Sequence, residues 1–189
     1  FKNEIYWGKP ITGFGDPKGK ILFVGLAPAA HGGTRTGRVF TGDKSSDFLY
    51  KCLFNAKISN QSTSDHINDG LKLKNAFITP ALKCVPPEDK PLKIELDNCS
   101  KFFNNELNIL KNLKVVVALG KIAFDTCKIF YSEKFEISKQ VKFGHGKIYK
   151  LKNGVNLVGC YHPSPRNVNT GRINEKMMTD LFNKIKKLN

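Results

Sequence analysis

KILFVGLAPAAHGGTRTGRVFTGD, residues 20–43, decides the fold class predicted for this chain. It joins the continuous apolar run at 21–24 to a loop rich in glycine and basic residues. Such a run fits a strand covered on both faces, because a half-exposed strand alternates apolar and polar residues. Asp43 is placed to cap a following helix. A strand, a glycine-bearing loop and a helix start predict an α/β domain with a ligand pocket at this loop.

The rest of the chain continues the alternation of strand and helix. Apolar runs predict further strands at 75–82, 115–119, 147–151 and 156–161, and helices over 46–56, 93–112, 122–130 and 174–188. This order implies a mostly parallel sheet with helices on both faces. Neither a repeat nor a linker interrupts it, so a single domain over residues 1–189 is expected.

Charge is the unusual feature of the composition. The chain carries 31 Lys and Arg against 16 Asp and Glu, a net charge of +15. Such an excess predicts attraction to a polyanion, most often nucleic acid. The alternative is a genome whose base composition favours lysine and asparagine. With neither a membrane-spanning apolar run nor a signal peptide in these residues, we expect an intracellular, cytoplasmic protein.

The five cysteines are odd in number and widely spaced, which argues against a secreted disulfide framework. Cys52, Cys127 and Cys160 lie in apolar segments, where a free cysteine behaves as a small core residue. Cys84 and Cys99 lie in polar or mixed segments and are candidate ligands of one metal. Two thiols cannot complete a zinc or iron–sulfur site, so these residues alone favour the structural interpretation.

A second polar stretch, YHPSPRNVNTGR at 161–172, follows the last predicted strand. Ligands of open α/β sheets bind beyond the carboxyl ends of the strands, so this stretch and the first loop should face one crevice. His162 stands at the strand end, where it can donate a hydrogen bond. Two prolines stiffen the segment after it, and its arginines and asparagines suit phosphates.

Together, GLAPAAHGGTRTGRVFTGD and YHPSPRNVNTGR resemble the paired active-site motifs of the uracil-DNA glycosylase superfamily, specifically its family 5, the B-type enzymes of thermophilic prokaryotes. The resemblance extends over nearly the whole chain, including KCVPPEDKP and VALGKIAF. It implies an α/β/α sandwich around a four-stranded, mostly parallel sheet. It also implies a monofunctional DNA repair enzyme that flips uracil and other deaminated or damaged bases out of DNA and hydrolyses the N-glycosidic bond.

The resemblance assigns roles within both motifs. Phe40 matches the aromatic that stacks on the flipped base, and His162 matches the donor to the O2 atom of the leaving base, worth about 3 kcal/mol. Ala27 occupies the place where other families carry an acidic or amide side chain. The residues expected to line the base pocket are Gly25, Ala27, Pro28, Ala29, His31, Thr34, Phe40, Asp43 and His162. Those expected to contact DNA are Arg35, Arg38, Ser164, Pro165, Arg166, Asn167 and Arg172.

Our expectations for water activation and base choice come from positions where this chain departs from the residues of related families. With Ala27 in the first motif, we expect the backbone at 27–29 to orient water, with Asp43 or His31 assisting. Thr34 stands where many relatives carry Asn. Pro80 replaces an Asn that reads the pyrimidine edge in related families, and this predicts a broad substrate range that includes uracil opposite guanine, hypoxanthine and etheno adducts.

Family members carry a 4Fe-4S cluster held by four cysteines, and Cys84 and Cys99 match two of them. The other two, a CxxC pair, are expected upstream of Phe1. The cluster should be structural, because base excision transfers no electrons.

Two other functions stay open at this point. The alanine at position 27 also fits a non-catalytic module that binds DNA lesions, and an α/β enzyme acting on free nucleotides would have a similar crevice. The partner expected of the glycosylase is double-stranded or single-stranded DNA with deaminated bases, and a monomer is expected. The residues do not indicate whether a sliding clamp binds.

Overall fold

A six-stranded sheet forms the centre of the computed structural model, which describes residues 1–134 and 136–188. Its strands are β1 (Phe14–Gly15), β2 (Ile21–Gly25), β3 (Ala76–Pro80), β4 (Val115–Leu119), β5 (Ile148–Lys150) and β6 (Asn156–Cys160). They lie in the order β1-β3-β2-β4-β6-β5. The central strands β3, β2, β4 and β6 are parallel, whereas β1 and β5 are antiparallel at the two edges.

The predicted four-stranded sheet is therefore confirmed as the parallel centre of a wider one. The edge strand β5 coincides with the apolar run at 147–151, and a turn at 151–155 joins it to β6. The other edge strand, β1, has only two residues, which is too short for any period in the sequence. It pairs with Phe77 and Ile78 of β3 and places Pro80 at the end of an internal strand.

The helices form a layer on each face of the sheet. They are α1 (Gly33–Thr36), α2 (Lys44–Asn55), α3 (Lys93–Ile109), α4 (Lys121–Ser132), α5 (Pro165–Asn169) and α6 (Glu175–Ile185), with 3-10 turns at Pro87–Asp89 and Lys186–Leu188. The core of one face contains α2 and α6, and that of the other contains α3 and α4. This arrangement is the predicted α/β/α sandwich. No helix in the described ranges is long and apolar enough to cross a membrane.

The buried strand β2 shows why its apolar run is continuous. Ile21 and Phe23 pack into the core beside α2 and α6, whereas Leu22 and Val24 pack into the core beside α3 and α4. Successive side chains of a strand point to opposite faces, so a strand between two helical layers needs an apolar residue at every position. The carboxyl ends of β2, β4 and β6 consequently lie at one edge of the sheet, where both sequence motifs begin.

Candidate active site

The first motif leaves β2 at Gly25 and passes through a tight loop before α2. Backbone N–H groups of Ala81 and Leu82 donate to the carbonyls of Gly25 and Leu26, which fixes the start of the loop against the end of β3. Ala27 is half-buried and carries no group that could activate water. Its neighbours differ in exposure, since Pro28 is buried and Ala29 is exposed.

Phe40 closes this loop in a conformation that is rare for a bulky residue. Its φ is +48°, in the left-handed region, and its side chain is only 8 % exposed. The ring lies so close to Gly25 that a Cβ there would be 2.6 Å from the ring atom Cε2. The glycine at the end of β2 thus provides the space into which the predicted stacking residue packs.

His162 lies beside this ring, just after β6. The centroids of the Phe40 and His162 rings are 6.0 Å apart, with an angle of 35° between their planes. The Asn167 side-chain amide donates to the His162 carbonyl over 2.9 Å and holds the turn after the strand. His162 is half-buried, and its surroundings desolvate it enough to lower its pKa to about 4. Near pH 7 the imidazole is therefore neutral and acts as a hydrogen-bond donor.

The second motif continues from His162 into an exposed turn and α5. The Ser164 side chain accepts from the Asn167 backbone N–H and caps the helix, while Pro165 and Arg166 are exposed. Arg172 is also exposed and stacks over the Tyr161 ring at 4.5 Å. The predicted DNA-contacting residues of this motif thus follow His162 in one partly exposed segment, 164–172, which we call the rim.

Asp43 begins α2 and forms a capping box with Ser46. Its Oδ1 accepts from the Ser46 backbone N–H over 2.9 Å, and the Ser46 hydroxyl lies 3.0 Å from the Asp43 backbone nitrogen, whose N–H donates to it. The other carboxylate oxygen lies against Gly32, where a Cβ would be 2.2 Å away. Burial raises the pKa of Asp43, although these backbone hydrogen bonds oppose the rise. A carboxylate therefore lies against the first-motif loop that lacks an acidic residue at Ala27.

His31 faces away from the Phe40 ring, towards the first residues of the chain. Its Nδ1 is 2.5 Å from the Tyr6 hydroxyl, and its ring stacks on Phe1. A separate cavity of about 540 Å³ contains His31, Arg35 and Asp43 but neither Phe40 nor His162. The predicted pocket residues are thus divided between two sides of the loop.

Thr34 lies within α1. Its hydroxyl is buried and finds no hydrogen-bond partner among the described residues. Its place in the base pocket stays a prediction.

The two arginines of the first motif form ion pairs with carboxylates of the protein itself. Arg38 is 3 % exposed and forms a bidentate pair with Asp69, at 2.6 and 2.8 Å. This corrects the expectation that Arg38 contacts DNA phosphates, because its guanidinium is buried. Arg35 is half-buried and donates to Glu4 over 2.6 Å as well as to two backbone carbonyls.

Asp69 is a structural residue of this site that the sequence reasoning missed. Besides Arg38, its carboxylate accepts from the backbone N–H groups of Asp65 and Leu71. The Arg38 guanidinium also donates to the side-chain oxygens of Thr41 and Ser64 over 2.9 Å. We call these four residues, Arg38, Asp69, Thr41 and Ser64, the arginine clamp. It holds the chain on both sides of Phe40. The polar sequence of segment 57–70 did not predict that Ser64 and Asp69 would pair with Arg38.

A second missed group surrounds Tyr161. The His145 ring stacks on the Tyr161 ring at 5.2 Å, and its Nδ1 accepts from the Tyr161 backbone N–H. The loop of His145 crosses β6 at Gly159, where a Cβ would be 2.4 Å from the Gly144 carbonyl oxygen. The sequence signal was this glycine inside an otherwise apolar strand, because such a glycine often marks a close backbone approach.

Cys84 and Cys99 lie on the α3 side of the β3 exit. Cys84 is exposed and Cys99 is half-exposed, whereas the other three cysteines are buried. Burial lowers the pKa of Lys83, the residue before Cys84, and the Glu106 carboxylate 2.6 Å from its ammonium opposes this shift. In the ranges described, no three or more His, Cys, Asp or Glu side chains converge as a metal site. The two accessible thiols fit part of a four-thiolate set.

Comparisons with known proteins agree with this geometry. A family model described as the uracil DNA glycosylase superfamily matches residues 12–186. The chain is 40% identical over 189 residues to a type-5 uracil-DNA glycosylase of Mycobacterium bovis, covering all of this chain and 70% of that protein. It is 40% identical over 188 residues to the type-5 uracil-DNA glycosylase of Thermus thermophilus, covering all of this chain and 84% of that protein.

A more distant relative is the type-4 uracil-DNA glycosylase of Sulfurisphaera tokodaii. It is 28% identical over 182 residues, with 94% of this chain and 74% of that protein covered. The resemblance predicted from the two motifs is thereby confirmed. The family model and these relatives show that this chain belongs to the uracil-DNA glycosylase superfamily.

Proposed function

We propose that this protein is a DNA repair glycosylase that hydrolyses the N-glycosidic bond of uracil in DNA. The observation that carries the proposal is the neutral His162 beside the Phe40 ring, at the carboxyl edge of a sheet of this family. The type-5 relatives, named as uracil-DNA glycosylases, support the same activity.

The chemistry follows from charge that develops during cleavage. As the bond to the sugar breaks, negative charge accumulates on the departing base, and a donor aimed at its carbonyl oxygen lowers the barrier. A neutral imidazole fits this role because one of its ring nitrogens still carries an N–H that can donate to the carbonyl oxygen. Phe40 offers a ring face for the flipped base, which replaces part of the stacking lost when the base leaves the duplex. The rim at 164–172 is proposed to contact the DNA backbone.

Water activation is assigned to the loop itself. With alanine at position 27, backbone groups at 27–29 are proposed to orient the water. The Asp43 carboxylate lies against Gly32 on the other side of this loop, so it is proposed to act by fixing the loop rather than as the base. Base choice is proposed to be broad, because Pro80 at the end of β3 offers no side-chain amide.

The function is tested with duplexes that each carry one lesion. We expect the protein to convert uracil opposite guanine into an abasic site, and hot alkali then breaks the strand at that position. Duplexes with hypoxanthine or an etheno adduct measure the breadth of base choice, and an undamaged duplex is the control. Tight binding without strand breaks would instead favour the lesion-binding module. Turnover of free deoxyuridine alone would favour a nucleotide-processing enzyme.

We further propose that Cys84 and Cys99 are two of the four thiolate ligands of an iron–sulfur cluster. When bound, such a cluster would tie the exit of β3 to α3 and contribute stability rather than redox chemistry. The exposure of these two thiols, against the burial of the other three, supports this choice of ligands.

Replacement of Cys84 or Cys99 by serine is expected to remove iron and the visible absorbance of the cluster from the full-length protein, because serine is a poor ligand for iron in such clusters. The measurement is iron content per protein chain, together with the visible spectrum. Cys127→Ala is the matched control, since this thiol is buried in the core. Iron retained in both serine variants would refute the assignment.

A further inference from the structure

The net charge of +15 does not accumulate at the crevice where both motifs meet. Of the first-motif arginines, Arg35 pairs with Glu4 and Arg38 pairs with Asp69. Asp43 adds negative charge to the same loop. The exposed cations of the second motif are only Arg166 and Arg172. Most of the excess charge must therefore lie elsewhere on the surface.

The opposite edge of the sheet, where the parallel strands begin, is densely basic. Backbone hydrogen bonds join Lys20 to Asn75 and Lys114 to Lys20, so the chain segments before β2, β3 and β4 lie side by side. The end of α6 reaches the same edge, because the Lys186 ammonium donates to the Ala56 carbonyl over 2.7 Å. We call this surface the lysine edge. It consists of Lys20, Lys57, Lys72, Lys74, Lys114 and Lys186.

The lysine edge is concave and unneutralised. Two cavities of about 520 and 250 Å³ share Lys57 and Lys74 in their walls, and no acidic side chain among the described residues lines either one. None of the six lysines forms an ion pair with a described residue. Asp16, in the turn before β2, adds a single negative charge beside six lysines, and its carboxylate accepts from the Lys18 backbone N–H. Like charges held together without counterions attract a polyanion.

A duplex in the catalytic crevice cannot reach this surface without strong bending. The strands of β2, β3 and β4 run from one edge to the other, and five residues of strand span about 17 Å before any loop is added. Wrapping a short duplex around both edges would cost several kcal/mol, because DNA is stiff over about 150 base pairs. Phosphates at the lysine edge must therefore come from a second DNA segment.

We propose that the lysine edge is a second, non-catalytic DNA-binding surface, which holds one duplex while the crevice engages another. The contacts are to phosphates and carry no sequence preference. An enzyme built in this way can bridge two duplexes and pass between them. The charge and shape of the edge carry the inference, and only the assignment of the other duplex to the crevice rests on the proposed function.

Two undamaged duplexes, one with a donor and one with an acceptor dye, test the proposal. We expect the wild-type protein to bring them together and to raise energy transfer at low salt. The triple variant Lys57→Glu, Lys72→Glu, Lys74→Glu should greatly weaken this signal. If three phosphate contacts are lost, the salt dependence of bridging, as log K against log salt, should become shallower by about 3.

The control carries the same change in net charge on another face: Lys90→Glu, Lys93→Glu, Lys101→Glu. It should keep most of the bridging signal, and both triple variants should melt like the wild type. Single-turnover excision from a short uracil duplex should be unchanged in the lysine-edge variant. The proposal is overturned if wild-type protein does not bridge, or if both triple variants lose bridging equally. It is also overturned if the lysine-edge variant loses excision as much as bridging.

Discussion

His162→Ala should lower the single-turnover excision rate on a uracil duplex about a hundredfold, the usual effect of removing one donor to a developing anion. The structure places this imidazole beside the Phe40 ring with a pKa lowered to about 4 by desolvation. The imidazole is therefore neutral before the reaction. Its hydrogen bond to the base becomes stronger only as negative charge develops on the base. Duplex binding should change little, because the interaction forms mainly in the transition state.

Comparison with His66→Ala separates this effect from general damage, since His66 is exposed in the segment between α2 and β3. The wild-type rate should also be independent of the protonation of His162 between about pH 6 and 8, because a group with pKa about 4 stays neutral there. A rate that rises as His162 is protonated towards its pKa would contradict the neutral donor. So would an unimpaired His162→Ala enzyme.

The second large effect is expected on stability. Asp69→Ala should reduce the free energy of unfolding by about 3–5 kcal/mol, because it leaves the Arg38 guanidinium buried without its counter-ion. The side chains of this pair are only 3% and 7% exposed. Denaturant unfolding measures the loss, and the double variant Arg38→Met, Asp69→Leu is the control. With neither charge present, the double variant should recover much of the stability that Asp69→Ala loses.

The arginine clamp also predicts the direction of the pH dependence. Burial opposes ionisation of Asp69, but hydrogen bonds from Arg38 and from backbone N–H groups outweigh it and hold the pKa of Asp69 well below its usual range. Since the unfolded chain binds this proton more readily, the contribution is complete above the ordinary aspartate pKa of about 4 and is lost as pH falls below it. The wild type should therefore lose more stability than the double variant on acidification. Equal acid sensitivity of both proteins would contradict this.

The alternation of strands and helices could be predicted from this sequence because burial on both faces leaves a direct trace. The runs at 21–24 and 115–119 have an apolar residue at every position, and the structure buries them completely. The two-residue strand β1 leaves no such trace, since its pairing with β3 depends on backbone groups. The length of a strand and the burial of its side chains therefore decide whether that strand can be predicted from the sequence.

The two motifs predicted which loops would meet, but not which groups their charged side chains would pair with. Phe40 and His162 come together because the loop after β2 and the end of β6 lie at the same edge of the sheet. Arg38 was different, because an arginine in a polar loop has the same sequence appearance whether it faces phosphate or a buried carboxylate. Its partner Asp69 lies 31 residues away in an irregular segment. Long-range side-chain pairing of this kind has no local signature.

The arginine clamp also has a consequence for the order of events during folding. The pairing of Arg38 with Asp69 closes a chain segment of 31 residues, which costs entropy, so we expect it to form after the chain between them has packed against the sheet. The left-handed backbone of Phe40 is unfavourable until then. We therefore expect a variant without the Arg38–Asp69 pair to lose the folded position of the Phe40 ring, and with it the surface on which the flipped base is proposed to stack.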